Sequence, residues 1–297
     1  GRLGVIDLTT NNEIIGTKYS GITYIEATNE FLVENNEKVG IVNNLGRTKI
    51  ALEYDELKLL DNDSGLYIAR LGDKYGVINK QGSIIIHIEY DEIGVDKTLF
   101  KSSEVSNPYL LYDNCIPVCR NNKWGIYNIS GRLIVPIEYD AMGCIVSSNR
   151  NNSANNALLL EDYEAIILGR NAEENNESRK FYAVVNSRGE FLVQLNSMVE
   201  SIYYITENGE DIYQIEINGA KGNLDDVFSR SGIKKVNRSV ESTDNSEDID
   251  INQNVVTDGQ TNQNTEENES DDQNNTEQQD SSEQQDSQSG DQENSQE

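Results

Sequence analysis

Short apolar runs rich in Ile, Val and Tyr, bounded by Gly, Asn, Asp and Ser, recur along the first 238 residues. Branched and aromatic side chains interrupted by turn formers predict β-strands. Asn-Lys-Gln-Gly at 79–82 and Asn-Ile-Ser-Gly at 128–131 fit hairpin turns, with glycine taking a positive φ that other residues resist. Further short strands are expected at 66–70 and 157–160. No segment carries a helical period, and the three prolines read as loop or strand-end residues. The pattern predicts an all-β chain.

The pattern also repeats. Lys38-Val39-Gly40-Ile41-Val42-Asn43 returns as Lys74-Tyr75-Gly76-Val77-Ile78-Asn79 and as Lys123-Trp124-Gly125-Ile126-Tyr127-Asn128. Arg2-Leu3-Gly4-Val5-Ile6-Asp7 is a further copy. Three of the apolar runs that follow end in Glu53-Tyr54-Asp55, Glu89-Tyr90-Asp91 and Glu138-Tyr139-Asp140. Gly40 and Gly76 are 36 residues apart, as are Glu53 and Glu89, and the next interval is 49 by both landmarks. Two landmarks displaced together mark a true repeat with a loop inserted at 94–114. Weaker copies follow at 184–193 and at 227–236, the last without its second half. The repeats therefore start near 2, 38, 74, 123 and 180, with a partial sixth near 221. Each unit offers about four short strands and cannot bury its own faces, so neighbours must stack.

The segments Lys-Trp-Gly-Ile-Tyr-Asn at 123–128 and Val-Pro-Ile-Glu-Tyr-Asp at 135–140 resemble the bacterial WG-repeat family, also called KWG repeats. The resemblance is good over 2–145 and poor over 180–236. Only Trp124 keeps the tryptophan; Leu3, Val39 and Tyr75 stand in its place elsewhere. The resemblance implies a β-repeat architecture and an interaction role, and it brings no catalytic residues. Because the family often follows a membrane anchor, it also implies an extracytoplasmic or cell-surface setting rather than the cytoplasm. Two arrangements suit such units. One is a β-propeller-like ring of five or six blades, and the other is an open β-solenoid-like array. The ring is the expectation, because an array must cap its edges and no amphipathic cap is evident in the sequence.

Composition divides the chain. Residues 239–297 hold 18 Asp and Glu, no Lys or Arg and no aromatic residue, so the net charge of −28 splits into −18 there and −10 on residues 1–238. So little apolar side chain cannot offset the entropy of ordering a backbone, and a disordered acidic tail is expected after a folded domain over 1–238. The acidic balance opposes binding to nucleic acid or to an anionic membrane surface. No apolar run approaches the roughly 18 residues of a membrane span. The chain opens at Gly1 within a strand-like pattern, and upstream residues are expected to have been removed.

Candidate chemistry is sparse. His87 is the one histidine, and it occupies a repeat position taken elsewhere by Ala51 and Pro136, so it reads as an ordinary strand or turn residue. Cys115, Cys119 and Cys144 are too few for a disulfide framework; a Cys115–Cys119 pair through a turn at Pro117 is conceivable beside buried thiols. The Glu-Tyr-Asp corners could supply paired carboxylates for glycoside hydrolysis. Their equivalent positions instead suggest a structural corner with an inward tyrosine and an aspartate bonded to nearby backbone N–H groups. Asp61-Asn62-Asp63-Ser64-Gly65 resembles the start of a calcium loop, but Gly72 stands where the distal glutamate belongs. Tyr67 and Tyr203-Tyr204 are candidate exposed aromatics for glycans or peptides, although the favoured reading is that half the tyrosines are core and half are scattered over the surface.

The expectation is a non-catalytic interaction scaffold without cofactor or metal, its protein partner met by the loops at 94–114, 145–155 and 170–179. A carbohydrate-binding module of the cell envelope and a degenerate hydrolase are the alternatives. The sequence leaves the oligomeric state open.

Overall fold

The computed structural model describes residues 1–100, 107–112, 114–146, 154–174, 177–195 and 198–236; the expected acidic tail lies outside them. β1 (Leu3–Ile6) and β2 (Glu13–Tyr19) form a two-stranded sheet. Two four-stranded antiparallel meanders follow. The first comprises β3 (Gly21–Ile25), β4 (Glu30–Asn35), β5 (Lys38–Asn43) and β6 (Thr48–Tyr54). The second comprises β7 (Glu56–Leu59), β8 (Leu66–Leu71), β9 (Lys74–Asn79) and β10 (Ile84–Tyr90). The fourth sheet repeats the meander with β11 (Glu92–Ile93), β12 (Cys115–Arg120), β13 (Lys123–Asn128) and β14 (Leu133–Tyr139).

In the fifth sheet β15 (Ala141–Met142), β17 (Ala165–Glu174), β18 (Glu177–Asn186) and β19 (Phe191–Val193) lie in order, and β16 (Leu159–Leu160) adds to β17. The sixth holds β20 (Val199–Glu207), β21 (Glu210–Ile217) and β22 (Ala220–Asn223), after which comes the helix α1 (Leu224–Arg230). Among the described residues no helix is long and apolar enough to cross a membrane.

The repeat read from the sequence is out of step with the sheets. Each Lys-x-Gly motif is a third strand and each Tyr-ended run a fourth, so the sheet changes at the Tyr-Asp corner rather than before the lysine. The third strands carry the signal because their ends need particular residues. Asn79 Oδ1 accepts the N–H groups of Gln81 and Ser83, and Asn43, Asn128 and Asn186 do the same for their own turns. The glycine closing each turn has a second reason to be glycine besides its positive φ. A Cβ on Gly131 would lie 2.4 Å from the carbonyl oxygen of Ile85, on the fourth strand of the preceding sheet. Gly46 and Gly189 approach the carbonyls of Ile14 and Ile134 in the same manner, so these three hairpin tips seat on the sheet before them, whereas Gly82 lies 3.9 Å from only the Ile50 side chain.

The glycine inside the motif answers to the facing strand. Tyr75 pairs with Tyr90 and Val77 with Ile86, so two extra residues of β10 bulge opposite Gly76. A Cβ there would meet the Ile86 carbonyl oxygen at 2.7 Å.

Stacking is visible in the core. Among the described residues there are five apolar clusters, and each is built from two consecutive sheets. Neighbouring residues of one strand serve different clusters: Val42 faces the first sheet, whereas Ile41 packs with Tyr67 and Ile78 of the third. Strands buried on both faces read as continuous apolar runs, which is why period-two alternation is weak in the sequence.

Three expectations are corrected. The partial sixth hairpin is not a strand: residues 224–230 form α1, with Leu224 and Phe228 buried on one side. Its turn survives, since Gly232 keeps φ +75° and donates to the Ser229 carbonyl at 3.1 Å. The missed helix signal is Asn223, whose side chain caps the Asp225 N–H, followed by Asp225 and Asp226 in the first turn and Arg230 in the last. An amphipathic cap is therefore present. Second, Pro117 and Pro136 lie within β12 and β14, the latter in a bulged outer strand that tolerates a missing N–H. Third, only Leu159 and Leu160 of 157–160 form a strand; the long second strand of that sheet is β17.

Candidate functional site

The Glu-Tyr-Asp corners are where the sequence concentrates charge, and the structure shows what each residue touches. Tyr54, Tyr90 and Tyr139 are buried, each paired across the sheet with the motif position that holds Val39, Tyr75 or Trp124. The Tyr90 hydroxyl also shares a 2.8 Å hydrogen bond with Tyr127.

The aspartates reach in two directions. Lys38 Nζ lies 2.6 Å from Asp55 Oδ1 and Lys123 Nζ 2.5 Å from Asp140 Oδ1, while Lys74 pairs likewise with Asp91. The second carboxylate oxygen accepts a backbone N–H of the next sheet: Gly72 at 2.7 Å, Asn121 at 2.6 Å and Asn171 at 2.8 Å. The motif lysine and the corner aspartate thus form a joint between sheets. The glutamates join it from outside, Glu89 with Arg120 at 2.7 Å and Glu138 with Arg170 at 3.2 Å. Those guanidiniums lie 5.6 and 5.8 Å from the ring centroids of Tyr90 and Tyr139.

Electrostatics follow from these contacts. The Lys38 ammonium and then the Gly72 N–H hold Asp55 below the usual carboxylate range, and Lys74 and the Asn121 N–H do so for Asp91. At Asp140 burial pushes upward, yet the Lys123 hydrogen bond and the Asn171 N–H outweigh it, and the net direction is down. A general acid in glycoside hydrolysis needs the opposite shift. These aspartates are suited to hold charge, not to deliver a proton.

Two joints escaped the sequence reading. Tyr19 is buried opposite Leu3, and the Ser20 N–H donates to the Glu34 carbonyl at 2.8 Å, as Asp55, Asp91 and Asp140 donate to Arg70, Cys119 and Gly169. Lys18-Tyr19-Ser20 is therefore a first corner without the acids; Tyr19 standing 35 residues before Tyr54 was its only signal. At the last junction Glu200 accepts the Gly219 N–H at 3.1 Å and lies 3.6 Å from Arg179. No tripeptide marks that joint.

The other candidates separate. His87, Ala51 and Pro136 are exposed on the bulged fourth strands. The three cysteines are buried thiols; Cys115 and Cys119 lie on the straight strand β12, with no turn at Pro117 to bring them together. Burial pushes the Cys115 thiol up to about 12, and burial with the nearby Glu92 and Asp91 charges pushes Cys119 up to about 11. Asp61 Oδ1 accepts the Asp63 and Ser64 N–H groups at 2.6 Å, the chemistry of a turn between β7 and β8. Among the described residues no group of three or more His, Cys, Asp or Glu could hold a metal ion.

Tyr67 is not an exposed aromatic. It is 1 % exposed, its hydroxyl donates to buried Glu30 at 3.1 Å, and Lys49 pairs with the other oxygen of Glu30 at 2.8 Å. Its β8 neighbours are apolar on both faces, which leaves no outward side for it. Tyr203 and Tyr204 are half-buried, and the Tyr204 ring lies 5.8 Å from that of Tyr213. Of the expected contact loops, 101–106, 113, 147–153 and 175–176 lie outside the described residues.

The WG containing repeat model matches residues 40–75, 75–96 and 124–150. No curated protein sequence matches the chain. A crystal structure of the eukaryotic initiation factor shares 11% identity over 74% of this chain and 57% of its own length, with a TM-score of 0.32. A crystal structure of BBS1N in complex with ARL6DN shares 13% identity over 70% of this chain and 77% of its own, with a TM-score of 0.20. At such TM-scores neither likeness bears on the fold.

Proposed function

We propose that this chain, which belongs to the WG-repeat family through the three matched segments, is a non-catalytic scaffold that presents its inserted loops to a protein partner. The observation that carries this reading is the Lys–Asp joint. The acids that recur at equivalent positions are held by lysines and by backbone N–H groups of the following sheet, so their recurrence has a structural cause. The insertions at 94–114 and 145–155 depart from the repeat, as does the span 170–179, which is the far end of the long β17–β18 hairpin rather than a loop, and segments of this kind on a rigid frame are where recognition usually sits. The carbohydrate-binding alternative loses support with Tyr67 in the core.

Of the two arrangements open to four-stranded units, the open array is favoured here. The helix α1 covers the last cluster with Leu224 and Phe228. Capped ends are a requirement of arrays, not of rings.

Chimeras that exchange the three loops for short turns test the scaffold reading. With Val95, Leu99 and Tyr109 to Leu111 left in place, because they pack in or against the core, capture of a cross-linked partner should be lost with the melting temperature unchanged. Capture that survives all three exchanges, or hydrolysis of a glycoside panel abolished by Glu138→Gln, refutes it.

A further inference from the structure

The fifth sheet departs from the three before it at one residue. Ala183-Val184-Val185-Asn186 is the counterpart of Gly40-Ile41-Val42-Asn43, so Ala183 stands where Gly40, Gly76 and Gly125 stand. A Cβ on those glycines would lie 2.6, 2.7 and 2.8 Å from the carbonyl oxygens of Ile50, Ile86 and Val135, on the bulged fourth strands. Ala183 carries that Cβ, and the fourth strand beside it is cut short. β6, β10 and β14 each run seven residues and reach Val39, Tyr75 and Trp124, whereas β19 runs three and pairs only with Val184 and Val185.

Beyond that point β18 has an open edge. Residues 178–181 are in register with β17 on one side, and among the described residues no strand pairs with them on the other. The hairpin also outruns its counterparts: β5, β9 and β13 begin at the motif lysine, here replaced by Phe181, and β18 begins four residues earlier at Glu177. Ser178, Arg179 and Lys180 are exposed. A strand edge in this state offers its backbone N–H and C=O groups to another strand.

The edge borders a cavity of about 530 Å³. Five consecutive residues of β18, 178–182, line it. Side chains alternate between the faces of a strand, so consecutive residues share one space only where the backbone edge itself borders it. Ile145, 65 % exposed, and half-buried Phe181 make part of the lining apolar. The charged lining is Arg179 and Lys180 against Glu200, an excess of cations in a region, 1–238, whose net charge is −10. Arg179 lies 3.6 Å from Glu200, which also accepts the Gly219 N–H, and no carboxylate among the described residues pairs with Lys180.

We infer that the 178–181 edge of β18 is a docking site for an extended acidic segment of a protein partner, which adds to the fifth sheet as the strand that β19 does not supply. Backbone pairing holds the segment in place, and the cavity takes its side chains. Arg179 and Lys180, on opposite faces of β18, select for acids along it, while Ile145 and Phe181 accept an apolar side chain between them. This deepens the scaffold reading at the 170–179 span and rests on it.

The test is fluorescence anisotropy of a labelled peptide of about ten residues, Glu alternating with Val, titrated with the full chain at low salt. Binding should saturate, and amide exchange at 178–181 should slow in the complex. The same peptide N-methylated at every residue keeps its charges but has no backbone donors, and it should not bind. Nor should a peptide with Lys in place of Glu. Lys180→Glu should weaken binding by about tenfold or more with the melting temperature unchanged. Should that variant melt early, Lys180→Gln removes the charge without adding another and should still weaken binding. Absence of saturable binding overturns the inference. So does equal binding of the N-methylated or the Lys peptide, or wild-type affinity in the Lys180 variants. Any of these, with partner capture still lost when the loops are exchanged, keeps the scaffold reading and removes this inference alone.

Discussion

Asp140 is bonded on both sides of a sheet boundary: one carboxylate oxygen lies 2.5 Å from Lys123 Nζ and the other 2.8 Å from the Asn171 N–H. Loss of the ion pair alone should be mild, because Lys123 is half-exposed and solvent screens it. A double-mutant cycle of Lys123→Met with Asp140→Asn should give a coupling of at most about 1 kcal/mol by denaturant unfolding. Asp140→Ala removes the acceptor of Asn171 as well and should cost about 1–3 kcal/mol. Equal costs for the two Asp140 variants would argue against the two-sided joint.

The same joints set a pH dependence. Folding depresses Asp55, Asp91 and Asp140, so their contribution is complete above the ordinary carboxylate range and is lost as pH falls through their lowered folded values. The midpoint of thermal unfolding should hold steady from about pH 7 to 5 and then fall below about pH 4. Removing all three aspartates as Asn should flatten that fall. A triple variant with the wild-type acid profile would assign the effect elsewhere.

The hairpin-tip glycines should be unequal to other glycines with positive φ. Gly131→Ala places a Cβ 2.4 Å from the Ile85 carbonyl oxygen and should cost more than about 2 kcal/mol. Gly209→Ala, also at positive φ but with open space around it, should cost only about 1 kcal/mol for its backbone conformation. Chemical denaturation of the two variants compares them directly.

Cys115 and Cys119 should be inert in the folded chain, since burial raises both thiols far above neutral pH. With a disulfide-exchange reagent at pH 7, they should be silent until denaturant is added and should then react at the rate of ordinary thiols. Rapid modification of either without unfolding would contradict the burial.

The strand pairs and the repeat were legible because they depend on residues with local obligations: Asn79 for its turn, Gly76 for the bulge it faces, Tyr90 for the core. The phase of the units was not legible. The first and second strands of each sheet, such as β7 and β8, answer only to stacking, and stacking accepts any apolar residue of suitable size. Tyr67 could be a surface candidate at all for the same reason, since burial on both faces removes the alternation that tells inside from outside. The joints were half visible. Lys38 and Asp55 were both noticed, but nothing local says that residues 17 apart meet, or that the third member is a backbone N–H at Gly72. The cap at α1 was hidden by its resemblance to a hairpin whose turn it still keeps.

The five clusters that each bind one sheet to the next also decide how the domain should give way under force. Tension applied at its two ends would pass through each corner in turn, with no bond among those described here spanning three sheets to share it. Extension in an optical trap should therefore show a staircase of small rips, one sheet at a time.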